Sequence, residues 1–223
     1  MNIIISDKFP VERFRETVAA LDPDKVCLIT DTNVRELLPP ELRDLPAAVF
    51  PAGEASKTVD TVAEVWSRLL DFGISRRSLI VNVGGGVVTD LGGFAAATFK
   101  RGVRFLNVPT TLLGAVDASI GGKTGVDFRG LKNLVGAFAE PSATIISTDF
   151  WETLPREELL SGFAEMVKCG YISSPELTGA LLGVTDNWCS ASLRRLLPEV
   201  LAVKERVVAE DPHEKGLRRI LNF

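Results

Sequence analysis

The sequence predicts an α/β protein in which a parallel sheet flanked by helices is followed by a helical segment. Short apolar runs alternate with helical patterns as far as about residue 150, which is typical of parallel β-α-β units. From Leu154 onward the pattern is helical throughout. We therefore predict a parallel-sheet domain over residues 1–150 and the first part of an all-helical domain over residues 151–223.

The elements are predicted in a regular order. Strands are expected at Ile3–Ile5, Val26–Thr30, Ala48–Phe50, Leu79–Val83, Phe105–Val108 and Thr144–Ile146. Helices are expected at Val11–Leu21, at Val59–Leu70, from Pro155 onward, and at Leu193–Glu210, the last one broken or restarted at Pro198. The segment Gly114–Gly136 contains six glycines and few strong helix or strand formers, so it is predicted to be a functional loop.

Composition narrows the class of protein. Apolar residues make up 46% of the chain and charged residues 24%, as in ordinary globular proteins, and the net charge of −4 comes without any basic run. We therefore expect neither nucleic acid nor a membrane as a partner. Cys27, Cys169 and Cys189 show no metal-ligand or disulfide spacing, and the N-terminus does not resemble a signal peptide, so a reducing, cytoplasmic compartment is expected.

Three consecutive glycines, Gly84–Gly86, follow the most apolar strand and precede a helix of small residues. Bare backbone amides at a helix N-terminus suit a pyrophosphate. The usual dinucleotide pattern is incomplete, however, because Thr89 occupies its last glycine position and Arg101 and Arg104 stand where an acidic residue is expected. A tight strand-to-helix turn remains the alternative. Asp90 is either a helix-stabilising charge or an acceptor for a ribose or an amide.

Other polar residues also have two interpretations. Asp31 ends a predicted strand, where cofactors bind, but it is equally suited to cap the next helix. Glu54 and Lys57 lie in a Pro-Ala-Gly-Glu loop, either as surface charges or on both sides of the sugar and phosphate of a nucleotide. Two lysines and an asparagine lie among glycines in a pattern that suits a phosphate, namely Lys123, Lys132 and Asn133.

The helical segment carries further candidates. Glu165 and Lys168 form either a solvated pair or a metal ligand beside a cation. Lys204 falls on the apolar side of its helix, where it needs a partner unless its amine reaches solvent. Because Glu214, Arg218 and Asn222 stand four residues apart, they are predicted to share one helix face.

Several motifs together resemble the 3-dehydroquinate synthase family. In chain order they are Pro51–Glu54 with Lys57, Gly84–Asp90, Phe99–Gly102, Val108–Leu113, Asp117, Gly122–Thr124, Leu131–Asn133, Gly162–Lys168 and Glu214–Asn222. The resemblance runs from Asp31 to the last residue with compatible spacings.

This resemblance implies a Rossmann-like N-terminal domain, a helical C-terminal domain, and NAD+ with a divalent metal, commonly zinc or alternatively cobalt, in the cleft between them. The implied reaction converts 3-deoxy-D-arabino-heptulosonate 7-phosphate into 3-dehydroquinate and phosphate, a step of aromatic amino acid biosynthesis. NAD+ oxidises a ring carbinol, phosphate is eliminated, hydride returns, and an intramolecular aldol reaction closes the carbocycle. A homodimer is also implied.

The resemblance assigns roles residue by residue. The cofactor positions are Asp31, Glu54, Lys57, Gly85, Gly86, Val87, Asp90, Thr110, Thr111, Lys132, Phe150 and Thr153. The substrate positions are Arg101, Asp117, Lys123, Asn133, Lys204, Arg218 and Asn222. Lys168, Glu214 and Asp117 match catalytic positions, and Glu165 matches a metal ligand. We expect Lys123 and Asn133 at the phosphate, Lys204 and Arg218 at the carboxylate, and Arg101 reaching across the homodimer.

The sequence departs from the family in one respect. Family members continue past the final Asn-Phe with a Gly-His-Thr-x-x-Gly-His segment that carries a metal-ligand histidine, and a later histidine completes the site. His213 is the single histidine here, and it is expected at the surface. We therefore expect a C-terminally truncated member that, by itself, holds zinc weakly and does not turn over substrate.

Three alternatives remain at this stage. One is a sister sugar-phosphate cyclase, although Lys204 and Asn222 favour a substrate that bears a carboxylate. The second is a metal- and NAD-dependent polyol or glycerol-phosphate dehydrogenase, which would accumulate NADH. The third is a binding module that retains nucleotide affinity without catalysis.

Overall fold

A computed structural model describes residues 2–184 and 190–222. Within these ranges the chain forms eight strands: β1 (Ile3–Ser6), β2 (Val26–Asp31), β3 (Ala47–Phe50), β4 (Leu79–Gly84), β5 (Arg104–Pro109), β6 (Lys123–Phe128), β7 (Leu131–Phe138) and β8 (Ala143–Ser147). Six of them make one sheet in the order β1-β8-β5-β4-β2-β3, with all neighbours parallel. The prediction of a parallel α/β fold is thereby confirmed.

The helices in the described part of the chain are α1 (Val11–Leu21), α2 (Thr32–Arg35), α3 (Pro40–Arg43), α4 (Val59–Asp71), α5 (Gly86–Thr98), α6 (Arg156–Ser173), α7 (Pro175–Leu182) and α8 (Ser190–Glu210). Short 3-10 helices lie at Glu54–Ser56, Phe99–Arg101, Thr148–Thr153 and Leu217–Asn222, and a π-helical turn lies at Gly114–Ala118. The proposed domain boundary near residue 150 falls inside the 3-10 helix Thr148–Thr153.

Strand β4 and helix α5 form the centre of the molecule. All six residues of β4 are buried, because apolar layers cover both faces of the sheet. Glycines in α5 allow the helix to lie very close to the sheet. A Cβ built on Gly92 would stand 2.2 Å from the Oδ1 atom of Asn82 on β4. The small residues of α5 therefore set its distance from the strand that ends at the glycine turn.

A row of polar side chains crosses the buried sheet. Asn82, Asn107 and Thr144 are register neighbours on β4, β5 and β8. Asn82 donates to the Oδ1 atom of Asn107 (3.0 Å), while Asn107 and Thr144 both donate to the carbonyl of Ser119 (3.5 and 3.2 Å). Since Ser119 directly follows the π-helical turn, the row ties this turn, which carries Asp117, to the sheet.

The prediction of a loop over Gly114–Gly136 is wrong, because most of the segment is a π-helical turn followed by the antiparallel hairpin β6–β7. Gly125 and Gly136 face each other, and a Cβ on either would stand 2.7 or 2.3 Å from a backbone oxygen of the partner strand. The glycines therefore permit close approach of two strands. Arg129 and Gly130 both have positive φ, as the tight turn of a hairpin requires.

The helical segment also differs from its prediction in two details. Pro198 lies inside an uninterrupted α8, so it neither breaks nor restarts the helix. Glu214 has a φ of +55° and precedes the 3-10 helix, so the single helix face predicted for Glu214, Arg218 and Asn222 is wrong. Across residues 2–184 and 190–222, none of the helices combines the length and apolar character needed to cross a bilayer.

Candidate active site

A cavity of about 520 Å³ lies where the hairpin β6–β7, the π-helical turn, α8 and the last 3-10 helix meet. It gathers eight of the residues singled out from the sequence, although they lie in segments up to 132 positions apart. These residues are Asp90, Asp117, Lys123, Asn133, Lys204, Glu214, Arg218 and Asn222.

The glycine turn lies beside this cavity, between β4 and the N-terminus of α5. A Cβ on Gly85 would stand 3.0 Å from the Cγ2 atom of Thr111, and one on Gly84 would stand 2.3 Å from Val88. The amide of Thr110 fixes the turn by donating to the carbonyl of Gly84 (2.9 Å). The first amides of α5 have no acceptor within the helix. The turn thus forms a side-chain-free cradle that fits a dinucleotide pyrophosphate.

Lys57 joins the glycine helix to the hairpin. Its ammonium is buried and donates to the Oδ2 atom of Asp90 and to the Oδ1 atom of Asn133, both at 2.6 Å. Burial raises the pKa of Asp90 to about 6, although Lys57 opposes this rise. Lys57 and Asp90 were predicted to contact the cofactor and Asn133 the substrate, so the structure brings the two predicted groups together in one hydrogen-bonded trio.

Lys204 reaches the cavity from α8 and pairs with Asp117. The lysine side chain is 5% exposed, whereas 48% of the Asp117 side chain faces open space. Its ammonium donates to both the carboxylate and the carbonyl of Asp117. Burial alone would raise the pKa of Asp117, but the charge and hydrogen bond of Lys204 hold it below the usual range. Of the two interpretations of Lys204, the structure therefore shows a specific ion pair.

Lys123 and Asn222 both contact the carboxylate of Glu214. These hydrogen bonds, first that of Lys123 and then that of Asn222, keep the pKa of Glu214 below its usual range. Although no helix face unites Glu214 with Asn222, the two side chains meet because the chain folds back between them. His213 is exposed, as expected, with its ring edge-on to Phe138 at 5.2 Å between centroids.

Arg218 is an almost fully buried cation, with 2% of its surface exposed. Its guanidinium donates to the carbonyls of Gly121 (2.6 Å) and Pro212 (2.7 Å). Desolvation lowers the pKa of Arg218, and the charge of Glu214 opposes this change. Among residues 2–184 and 190–222, no carboxylate forms an ion pair with Arg218, and an anionic ligand in the cavity would suit this buried positive charge.

Glu165 and Lys168 pair on α6 at 2.5 Å, with 15% and 14% of their side chains exposed. They are therefore a largely buried pair, not a solvated one. Lys168 also donates to the carbonyl of Leu221 (2.6 Å). Among the described residues, no group of three or more His, Cys, Asp or Glu side chains is placed to hold a metal ion. The donor set in this part of the chain consequently does not fit a complete metal site.

Other predicted residues lie outside the cavity wall. Asp31 accepts from the amides of Asn33 (2.9 Å) and Val34 (2.8 Å), so its carboxylate caps α2. Glu54 pairs with Lys132 at 3.0 Å on the surface, and this contact raises the pKa of Lys132.

Three further predicted residues do not line the cavity. Phe150 is buried in the core, and its carbonyl accepts from the hydroxyl of Thr153 (3.0 Å). Arg101 is exposed beyond the C-terminus of α5, a 13-residue helix whose other end carries the glycine turn. A helix of that length separates its ends by about 20 Å.

Two carboxylates that were not predicted from the sequence bind the backbone of the cavity wall. Asp127 accepts from the amide of Asn133 (2.7 Å), while its own amide donates to the carbonyl of Lys57 (2.8 Å). Asp211 accepts from three amides of the turn that carries Glu214. From the sequence, Asp127 could have been found through the hairpin turn Arg129-Gly130 that follows it. Asp211 could have been found because a short acidic side chain at the end of a long helix often binds nearby backbone amides.

Comparisons with known proteins were made for sequence families, curated proteins and solved structures. The family model for the 3-dehydroquinate synthase N-terminal domain matches residues 47–161, and that for the C-terminal domain matches residues 162–223. The 3-dehydroquinate synthase of Parabacteroides distasonis is 46% identical over 94% of this chain and 61% of its own length. That of Pyrococcus furiosus is 42% identical over 93% and 63%.

A solved structure of ValA, the 2-epi-5-epi-valiolone synthase of Streptomyces hygroscopicus, has NAD+ and Zn2+ bound. It superposes with a TM-score of 0.88 at 29% identity, over 100% of this chain and 65% of that protein. A 2-deoxy-scyllo-inosose synthase complexed with carbaglucose-6-phosphate, NAD+ and Co2+ has a TM-score of 0.83 at 24% identity, covering 99% and 64%. The chain spans about three fifths of the length of the curated relatives.

Fold and site together define the class, a Rossmann-like α/β protein with a glycine turn and a charged cavity between a β-hairpin and the helical segment. Both family models match in sequence order, and together they span residues 47–223. The chain belongs to the 3-dehydroquinate synthase family.

Proposed function

We propose that this chain carries the coenzyme cradle and much of the substrate cavity of a 3-dehydroquinate synthase. The substrate is 3-deoxy-D-arabino-heptulosonate 7-phosphate, and the products are 3-dehydroquinate and phosphate. The observation that carries the proposal is the cavity itself, where lysines, an arginine and asparagines surround a space of about 520 Å³ beside the glycine turn. A substrate with a phosphate at one end and a carboxylate at the other requires cations on more than one wall.

NAD+ is the proposed coenzyme, bound at the turn formed by Gly85, Gly86 and Val87. Bound there, it would accept a hydride from a ring carbinol and later return it. The chain's own contribution is to present bare amides to the pyrophosphate, with Thr110 and Thr111 fixing the turn from the neighbouring strand. Asp90 lies one helical turn further and supplies a carboxylate acceptor. Support comes from the ValA structure, a 29% identical protein with NAD+ bound.

The substrate is proposed to lie between two groups of cations. Lys123 and Asn133 on the hairpin would bind the phosphate end, and Lys204 and Arg218 the carboxylate end. The Asp117 carboxylate, whose pKa is lowered, stays ionised at neutral pH and pairs with Lys204. Asn222 would orient the carboxylate end further. Lys168 and Glu214, proposed as catalytic residues, would lie near the reacting hydroxyls, where the carboxylate of Glu214 would accept a hydrogen bond.

A divalent metal belongs to the proposal because ValA has Zn2+ bound. Glu165 is the proposed ligand, but its present partner is Lys168. Since the described residues assemble no three-ligand group, no chemical step is assigned to the metal in this chain.

The chain is also proposed to form a homodimer and to act in the cytoplasm. Arg101 is exposed and does not line the cavity of its own chain, which supports a role for it at the cavity of a second copy. Cys27 and Cys169 are free and buried, as suits a reducing compartment, and Cys189 lies outside the described residues. Mixing an Arg101→Ala chain with a Lys204→Met chain tests the dimer. Substrate binding restored in the mixture supports it, and additive loss contradicts it.

Binding and turnover should be tested separately on the purified chain. Calorimetry is expected to show binding of NAD+ and then of the seven-carbon acid phosphate. A Gly85→Val variant should no longer bind NAD+. Phosphate release with NAD+, zinc and substrate is expected to stay at background, because this part of the chain lacks a complete metal site. Failure to bind NAD+ would overturn the proposal. NADH accumulation would indicate a dehydrogenase, and release of phosphate would refute the expected inactivity.

A further inference from the structure

The turn that follows α8 is organised around one carboxylate. The Oδ1 atom of Asp211 accepts from the amide of Lys215 (2.8 Å), and its Oδ2 atom accepts from the amides of Gly216 (2.7 Å) and Arg218 (3.1 Å). Both oxygens are therefore committed to the backbone. These amide bonds, first that of Lys215 and then that of Gly216, hold the pKa of Asp211 below its usual range.

This turn carries two side chains of the cavity wall. Glu214 has a left-handed backbone with φ +55°, a conformation that is costly for a residue with a Cβ and must be imposed by its surroundings. Arg218 lies in the first turn of the 3-10 helix Leu217–Asn222, and its guanidinium donates to the carbonyl of Pro212 in the preceding turn. The geometry of the turn therefore fixes the positions of Glu214 and Arg218 together.

We propose that Asp211 is the positioning residue that sets Glu214 and Arg218 in the cavity by gathering the amides of the turn on its carboxylate. Among the residues that the structure describes, Asp211 does not line the cavity, so it acts through the other two. Its effect on ligand affinity rests on the proposed function, whereas its effect on the turn does not.

The first test needs no ligand. Phenylglyoxal modifies accessible arginines, and peptide mass mapping gives the rate at each site in the purified chain. Arg218 should react slowly in the unaltered protein, about tenfold faster in Asp211→Ala, and at an intermediate rate in Asp211→Asn, which keeps one acceptor oxygen. The neighbouring Arg219 is exposed and serves as internal reference, and Glu210→Gln removes the adjacent exposed charge as matched control. An unchanged Arg218 rate in both Asp211 variants would overturn the proposal.

The second test separates positioning from general loss of structure. Calorimetry with the seven-carbon acid phosphate should show at least tenfold weaker binding in Asp211→Ala, while NAD+ affinity remains that of the unaltered chain. Equal loss of both affinities would mean that Asp211 only maintains the fold and would overturn the proposal. If the unaltered chain binds no acid phosphate, the proposed function fails, and the arginine reactivity alone decides the role of Asp211.

Discussion

The glycine turn and the charged cavity wall lie side by side, but they are held in different ways. The turn and the helix that follows it are fixed by close packing, because a Cβ on Gly84 or Gly92 would stand 2.3 or 2.2 Å from a neighbouring side chain. The wall is fixed by charge pairs between distant segments, such as Lys204 with Asp117. A closely packed region cannot accept added volume without strain, whereas ion pairs that face a cavity can exchange partners. We therefore expect steric changes at the turn to affect stability most, and charge changes at the wall to affect ligand binding most.

The largest expected effect comes from Gly92→Ala at the turn side. The new Cβ would collide with buried Asn82 and disturb its hydrogen bond to Asn107, so overpacking and a lost bond together should lower the unfolding free energy by about 3 to 4 kcal/mol. Urea unfolding measures this change. Gly179→Ala is the matched control, since open space surrounds that helical glycine, and about 0.5 to 1 kcal/mol of stabilisation is expected. Equal effects of the two substitutions on stability would contradict the conclusion that close packing fixes the turn.

Asp90 connects the two regions and should show the next largest effect. Its folded-state pKa is raised to about 6 from 3.8, so the folded protein binds the proton more tightly than the unfolded chain. The contribution of this group to stability should therefore decline by about 2 to 3 kcal/mol as the pH rises from 4 to 7. Asp90→Asn should remove this decline, measured by urea unfolding at several pH values. Asp60→Asn, which changes an exposed residue of α4, should leave the decline unchanged. Parallel pH curves for the unaltered protein and Asp90→Asn would contradict the assignment.

Lys204→Met tests the wall. About half of the Asp117 side chain is exposed, so water can solvate its charge when its partner is lost, and about 1 kcal/mol of stability should be lost. Binding of the acid phosphate should nevertheless weaken at least tenfold. Thermal unfolding and calorimetry measure the two effects, with exposed Lys215→Met as control. A loss of stability as large as that of Gly92→Ala would show that the wall is as rigid as the turn.

Lys123→Gln should have the smallest effect on stability. Lys123 and Glu214 are 44% and 20% exposed, and such pairs contribute about 0.5 kcal/mol at low salt and less at high salt. Unfolding at 0.05 M and 0.5 M NaCl should show this small difference disappearing. A difference that persists at high salt would indicate a buried, structural pair.

The sequence was informative where local rules decide the structure. The six sheet strands, the glycine turn and the start of α6 followed from apolar runs, glycine and proline. The hairpin did not, because Gly125 and Gly136 favoured a loop, and only their close approach across two strands explains them. Lys204 was seen to need a partner, but its pairing with Asp117, 87 residues away, depends on the folded sheet. Asp211 escaped notice because its partners are backbone amides, which every sequence has.

The pairing of lysines with carboxylates also bears on which anions can enter. Lys123 and Lys204 on the cavity wall each already have an acidic neighbour, and with Arg218 they face three carboxylates, Asp90, Asp117 and Glu214, so the lining carries little net positive charge. A small inorganic ion can displace a single carboxylate at best and gains little by doing so. A molecule with two anionic ends at the right separation replaces several at once. The low net charge of the lining therefore disfavours simple salts. The ligand is selected by the distance between its two anionic groups.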